Sequence, residues 1–370
     1  MNQKLCIVYC TAPRYREAIF KAIDNEYNCD WYFGKTYTDI KEMDLSILNN
    51  YRYYSILGSR KYFFIKIGLL RLLFKKDNRI FLYLTESRSI TDYIFLLLAS
   101  FMKRKKIYAW THGWYGKESK IEERLKLWQF KHVDGLFLYG ERAKNLLIDR
   151  GISPEKMFVI KNSLHYDQQI DLRHHLVRSD IFEKHFGNSY PVIIFIGRLT
   201  NVKRLDILVE SIFKLREKEE KYNVVFVGDG EKRFDLEKMV ERLNMKDCFW
   251  FYGASYDEVK NAELIYNSDL CVAPGNVGLT AMHTMVFGCP VISHNDFDWQ
   301  MPEFEAIHPG ETGDFFERDN VDSLVHAISG WFANNKNRRE PIRQACYKEI
   351  DSYWNPYYQM EVIRKNIIFE

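Results

Sequence analysis

Short apolar runs alternate with amphipathic or polar stretches along nearly the whole chain. In the first half, residues 5–10 (LCIVYC), 30–33, 52–57, 79–84, 106–111, 135–139 and 158–160 read as strands. Residues 16–25, 61–74, 90–101, 117–131 and 141–150 read as helices between them. A polar segment at 167–190, with His174, His175, Arg178, Lys184 and Gly187, reads as a linker. A second series then begins, with strands at 191–196, 223–227, 248–251, 269–273 and 290–293. Its helices fall at 205–219, 231–243, 257–267, 279–287 and 322–333, and 360–368 is amphipathic. Near-continuous apolar strands alternating with helices predict α/β layers with parallel sheets. A length of 370 residues fits two domains of ordinary size, placed at 1–175 and 188–350.

No run reaches about 18 consecutive apolar residues, so no spanning helix is expected. The apolar run at 5–10 is too short for a signal peptide and reads as the first strand. The net charge of +3 gives no general field for nucleic acid, and no such partner is expected. The seven Cys are scattered without a CxxC pair, which reads as buried free thiols in a reducing compartment and no zinc site. Charge is uneven, however. Between Lys61 and Lys106 stand eleven Lys and Arg against Asp77, Glu86 and Asp92 alone. Interleaved with Phe63, Phe64, Leu69, Leu70, Leu72, Leu73 and Phe74, these cations suit either the face of an anionic bilayer or a core helix with solvated ends.

Candidate chemistry gathers behind the strands of the second half. Gly197-Arg198-Leu199-Thr200-Asn201-Val202-Lys203 follows the run VIIFI. A glycine permits the sharp turn at a strand's carboxyl edge, where ligands of open α/β sheets collect. Arg198 and Lys203 would neutralise a diphosphate there, or be two solvated cations of a plain loop. Gly228-Asp229-Gly230 and Tyr252-Gly253-Ala254 also follow strands; the first permits close backbone approach and the second could meet a nucleobase edge or be a simple turn. In the longest motif, Gly275-Asn276-Val277-Gly278 runs into a helix whose first N–H groups could face an anion. Thr280 adds a hydroxyl, and His283, one turn along, is either a ligand or a structural side chain. No GxGxxG follows the first strand, which disfavours a Rossmann oxidoreductase.

Together, Gly197-Arg198…Lys203, VGDG at 227–230, FYG at 251–253, GLTAMHTMVFGCPVIS at 278–293 and Met301-Pro302-Glu303…Gly310-Glu311-Thr312-Gly313 resemble the C-terminal domain of retaining GT-B glycosyltransferases, family 4. The likeness runs from about 191 to 332. It implies two Rossmann-like domains with parallel sheets facing across a cleft, the first for the acceptor and the second for the donor. It also implies that 351–370 crosses back to the first domain as a helix. The implied activity is hexosyl transfer from a nucleotide sugar with retention and no metal or other cofactor. Arg198 and Lys203 match the basic pair on the donor diphosphate, and Gly278 and Leu279 the backbone that meets it. Gly197, Gly228, Tyr252, Gly253, Gly275, Asn276, Thr280 and His283 fall among the donor-binding positions. His112, in Trp110-Thr111-His112-Gly113, matches a histidine that touches the transferred sugar; its alternative is a structural role.

One departure stands out. The family carries two Glu eight positions apart, one near the donor sugar and one on the ribose; here the positions read Gly275 and His283. His283 can still hydrogen-bond a hydroxyl, whereas Gly275 offers no side chain. The expectation is therefore a cytoplasmic transferase, peripheral at the inner membrane face, that acts on a glycan or lipid-linked acceptor in bacterial surface polysaccharide synthesis. The alternative is a catalytically degenerate protein that binds a nucleotide sugar or glycan.

Overall fold

The computed structural model describes residues 4–35 and 41–369. The chain forms two compact units, Met1–His165 with Asn355–Glu370, and Tyr166–Trp354.

In the first unit the strands are β1 (Lys4–Tyr9), β2 (Asn28–Gly34), β3 (Tyr51–Tyr54), β4 (Ile56–Gly58), β5 (Phe64–Lys66), β6 (Ile80–Tyr83), β7 (Lys106–Thr111), β8 (Gly135–Leu138) and β9 (Met157–Val159). All but β4 and β5 form one parallel sheet in the order β3-β2-β1-β6-β7-β8-β9. Its helices are α1 (Glu17–Glu26), α2 (Ile90–Ser100), α3 (Lys120–Lys131) and α4 (Glu141–Ile148). Two buried clusters result, one with Leu5, Ile7, Phe20, Trp31 and Trp110, the other with Val8, Phe81, Phe95, Ala109 and Leu136. Alternate residues of β1 enter different clusters, as a strand covered on both faces requires.

The second unit begins with α5 (Tyr166–His175) and α6 (Ile181–Phe186). Its sheet holds β10 (Val192–Ile196), β11 (Asn223–Val227), β12 (Phe249–Gly253), β13 (Leu270–Ala273), β14 (Val291–His294) and β15 (Gly313–Phe316). These pair in parallel in the order β12-β11-β10-β13-β14-β15. Between and after them lie α7 (Leu205–Glu217), α8 (Arg233–Arg242), α9 (Glu258–Asn267), α10 (Leu279–Met285), α11 (Val321–Asn335) and α12 (Arg339–Tyr353).

The chain then returns to the first unit as α13 (Pro356–Asn366). Asn355 caps it by accepting from the Tyr358 N–H at 2.9 Å. Met360, Ile363 and Ile367 enter the core beside Ile19 and Ile23. Ser163 Oγ donates to Gln359 Oε1 at 2.6 Å, and Arg364 pairs with Glu26.

Three sequence expectations differ from the structure. Residues 61–74 form no α-helix: β5 occupies the middle, Gly68 adopts φ +84°, and only a 3-10 turn covers Leu70–Phe74. The cause is an inverted strand pattern, with Phe64 and Lys66 buried and Phe63, Ile65 and Ile67 exposed. Lys66 Nζ reaches Asp92 at 3.0 Å and Glu86 at 3.1 Å, so this cation is internal. An ammonium that would be costly to bury alone is tolerated because Asp92 also accepts from Tyr83 and Ser89. The polar segment at 167–190 is largely helical, because α5 and α6 both pack on α9. Neither β15 nor α12 was expected from the pattern; Gly313-Asp314-Phe315-Phe316 is too short and mixed to read as a strand alone.

Candidate functional site

In the second sheet the strand order reverses between β10 and β13, which pair side by side while their connections leave in opposite directions. Such a switch point opens a crevice at the carboxyl edge. Both the loop after β10, with Gly197, Arg198 and Lys203, and the loop after β13, with Gly275 to Gly278, lie at that edge.

The loops fit together at their backbones. The Gly275 N–H donates to the Lys203 carbonyl at 2.9 Å. A Cβ on Gly275 would stand 2.0 Å from the Val202 carbonyl oxygen, so no side chain fits. Gly228, at φ +150°, is held likewise: a Cβ there would lie 1.9 Å from the Gly197 carbonyl oxygen. The Gly228 N–H donates to Gly253 at 2.8 Å, which joins the turn after β12 to the same edge. Tyr252 is partly exposed there and meets Trp250 edge-on at 5.2 Å. Thr280 is buried and its hydroxyl donates to the Ile196 carbonyl at 3.0 Å, so that proton is committed to fixing α10 against β10. Gln300 accepts from the Val277 N–H at 2.9 Å and donates to Ser293 and His294, bracing the second loop from behind.

Arg198 is exposed. Lys203 is not: its ammonium donates to the Asn276 carbonyl at 2.7 Å and to Asn276 Oδ1 at 3.0 Å. Burial pushes its pKa down to about 8, against the upward pull of the charge on Glu303 and of Cys271. Glu303 is itself buried, in the 3-10 turn Pro302–Ala306. A diphosphate beside Lys203 would favour the protonated form and raise that pKa, so binding takes up a proton above pH 8. Affinity for a nucleoside diphosphate is therefore expected to be full below pH 8 and to fall by up to about tenfold per pH unit above it. Calorimetric titrations at pH 7, 8 and 9 check this, with the uncharged nucleoside as a control that should not change.

His283, partly exposed on α10, does not stand alone. Its Nε2 lies 3.0 Å from Oε1 of Glu258, the first residue of α9, and Gln169 Nε2 of α5 donates to the same oxygen at 2.8 Å. Burial alone would raise the Glu258 pKa; the pull and hydrogen bond of His283, with Gln169 and Asn261, outweigh it and hold the pKa at about 2. Glu258 and Gln169 were missed in the sequence, since 25 and 114 residues separate them from His283 and no local pattern marks them.

His112 belongs to the first unit, just beyond β7. Its ring lies 4.5 Å from that of Tyr139, and its buried Nδ1 has no hydrogen-bond partner. Burial, reinforced by Arg16 and Lys126, pushes its pKa down to about 3, so the imidazole is neutral near pH 7. Arg16 is buried among Tyr9, Trp110 and Tyr139 and donates to the Tyr139 hydroxyl. Among the described residues, no group of three or more His, Cys, Asp or Glu could hold a metal ion, and no helix is long and apolar enough to cross a membrane.

Residues 177–348 match the family model of glycosyl transferases group 1. Alpha-D-kanosaminyltransferase of Streptomyces kanamyceticus is 20% identical over 183 residues, which are 48% of this chain and 47% of that protein. The chain thus spans about half the length of this relative. Among solved structures, the lipopolysaccharide outer core galactosyltransferase WaaB in its apo form superposes with a TM-score of 0.70 at 16% identity, over 98% of this chain and 100% of that one. Anabaena Alr3699/HepE in complex with UDP gives 0.72 at 14% identity, over 98% of each chain. The fold is that of GT-B glycosyltransferases, with one Rossmann-like sheet in each unit.

Proposed function

We propose that this protein transfers a hexose, with retention, from a UDP- or GDP-sugar to a glycan or lipid-linked glycan. The reaction needs no metal and serves bacterial surface polysaccharide synthesis. The observation that carries this reading is the joining of loops 197–203 and 275–278 at the strand-order switch, with the Lys203 ammonium between them. The family match over 177–348 and the UDP held by a structural neighbour support the donor class. The galactosyltransferase of the lipopolysaccharide outer core supports the acceptor class.

Arg198 and Lys203 neutralise the charge that grows on the leaving diphosphate. Its oxygen takes the acceptor proton on the face where the new bond forms, which gives retention without a covalent intermediate. Neutral His112 hydrogen-bonds the transferred sugar. Calorimetry with UDP, GDP and their sugar conjugates, without metal, tests the reading. Saturable binding of one nucleotide, lost in Arg198→Ala, is expected; binding of none overturns it.

A second reading, a nucleotide-sugar or glycan binder without turnover, is favoured by the Val202 carbonyl standing where a side chain of residue 275 would begin. Tight nucleotide binding with neither transfer nor donor hydrolysis would select it.

We also place the enzyme on the cytoplasmic face of the membrane. The surface is not the expected helix but the outward residues of the β4–β5 hairpin, Leu57, Phe63, Ile65 and Ile67, beside a stripe on α2. That stripe, Ile90, Ile94, Leu97 and Phe101, is 41–78% exposed, and Lys61, Arg71, Lys76, Lys103 and Arg104 are exposed in the same stretch of chain. Such a surface suits an anionic bilayer. Flotation with phosphatidylserine vesicles should recover the protein at low salt and lose it at high salt; no flotation at low salt removes the membrane placement.

A further inference from the structure

Two hydroxyls of a ribose are best met by one carboxylate, which accepts from both and carries the charge that makes such bonds strong. The family's position for that group holds His283 here. Nε2 of His283 is already spent on Glu258, so the imidazole has at most Nδ1 left for a ligand. Glu258 has more to offer. Of its two oxygens, Oε1 takes the hydrogen bonds of His283 and Gln169, Asn261 also bonds the carboxylate, and the side chain still keeps 22% of its surface exposed.

The placement of Glu258 is also right for the sugar of a nucleotide. It opens α9, five residues beyond Gly253 in the turn that could meet a nucleobase edge, and it touches α10 one turn beyond Leu279. Capping does not explain it, because Asp257 already accepts from the Val259 and Lys260 N–H groups at 3.0 and 3.3 Å. Nor is it a surface ion pair of convenience. Side chains from α5 and α10 converge on one oxygen, which is how a carboxylate is aimed rather than merely neutralised.

We infer that the ribose-gripping carboxylate has moved from α10 to α9: Glu258 accepts the ribose hydroxyls of the nucleotide, and His283 and Gln169 are its positioning residues. This rests on the donor-site reading above. The substitution at 283 then marks a relocated contact rather than a lost one. It also makes the ribose grip depend on three elements, α5, α9 and α10, so that the segment at 166–175 becomes part of the donor site.

The test compares UDP and GDP with their 2′-deoxy counterparts by calorimetry, in wild type, Glu258→Gln and Glu258→Asp. Wild type should prefer the ribonucleotide by about 10- to 100-fold, the range for a hydrogen bond to a charged group. Glu258→Gln should bind both forms alike, at close to the 2′-deoxy affinity of wild type. Glu258→Asp, which keeps the charge but withdraws it by one methylene, should lose most of the preference and serves if the Gln variant does not fold. A preference retained in full by either folded variant overturns the inference, as does a wild type indifferent to the 2′-hydroxyl. Binding of no nucleotide by wild type overturns the donor-site reading itself, and the inference falls with it.

Discussion

Lys203→Ala is expected to lower sugar transfer by about 10²-fold or more, the usual loss when a group that stabilises developing negative charge is removed. Two features single out this residue. Lys203 is half-buried, so its field is less screened by water than that of the exposed Arg198. It is also held by Asn276 on the facing loop, so it is aimed before any ligand arrives. The loss should fall mainly on kcat, because charge on the leaving diphosphate is greatest in the transition state. Lys203→Arg should not restore it, since the compact site bounded by Asn276 and Gly275 suits a point charge rather than a planar fork. Steady-state kinetics on both variants decide the matter; turnover near wild type in Lys203→Ala removes the residue from the reaction.

Gly275→Glu is expected to destabilise the second unit rather than to supply the carboxylate that the resembled glycosyltransferases carry there. The new Cβ would meet the Val202 carbonyl oxygen at 2.0 Å and the Lys203 backbone at 2.8 Å, and neither neighbour is a flexible side chain that could step aside. Forcing backbone apart in a close-packed loop pair costs about 3 kcal/mol or more. For a unit of this size that is a fall in Tm of roughly 6–12 °C. Displacing the 201–203 turn would also carry Lys203 away from Asn276, so activity should drop with stability. Thermal melting with parallel assays checks both. An unchanged Tm with higher turnover would mean that the loop opens freely and that the missing carboxylate alone limits the enzyme.

Strands whose side chains are apolar at every position, such as VIIFI at 192–196, announced themselves, because burial on both faces leaves no polar residue to blur the run. The segment at 61–74 misled for the opposite reason. Its outward residues, Phe63, Ile65 and Ile67, are apolar, and one of its two inward ones is a lysine, satisfied by Asp92 twenty-six residues further on. Period alone cannot reveal a strand whose inside and outside are exchanged. For the candidate site, glycines and cations were legible because they are local devices: a turn needs its glycine in place. What could not be read was partnership across the fold. Nothing near Glu258 in sequence foretells His283, and nothing near Gly275 foretells that the Val202 carbonyl fills the space a side chain would take.

The return of α13 to the first unit sets an order on synthesis. The chain emerges from the ribosome with its amino end leading, yet Met360, Ile363 and Ile367 complete a core otherwise made from residues 5–160. The unit translated first is thus finished last. The second unit, continuous from Tyr166 to Trp354, can close while the first still exposes the face of α1 that awaits α13. A chain cut just after Trp354 holds every residue of the second unit but leaves the first unsealed, so the apolar face of α1 is where a chaperone is expected to bind such a chain.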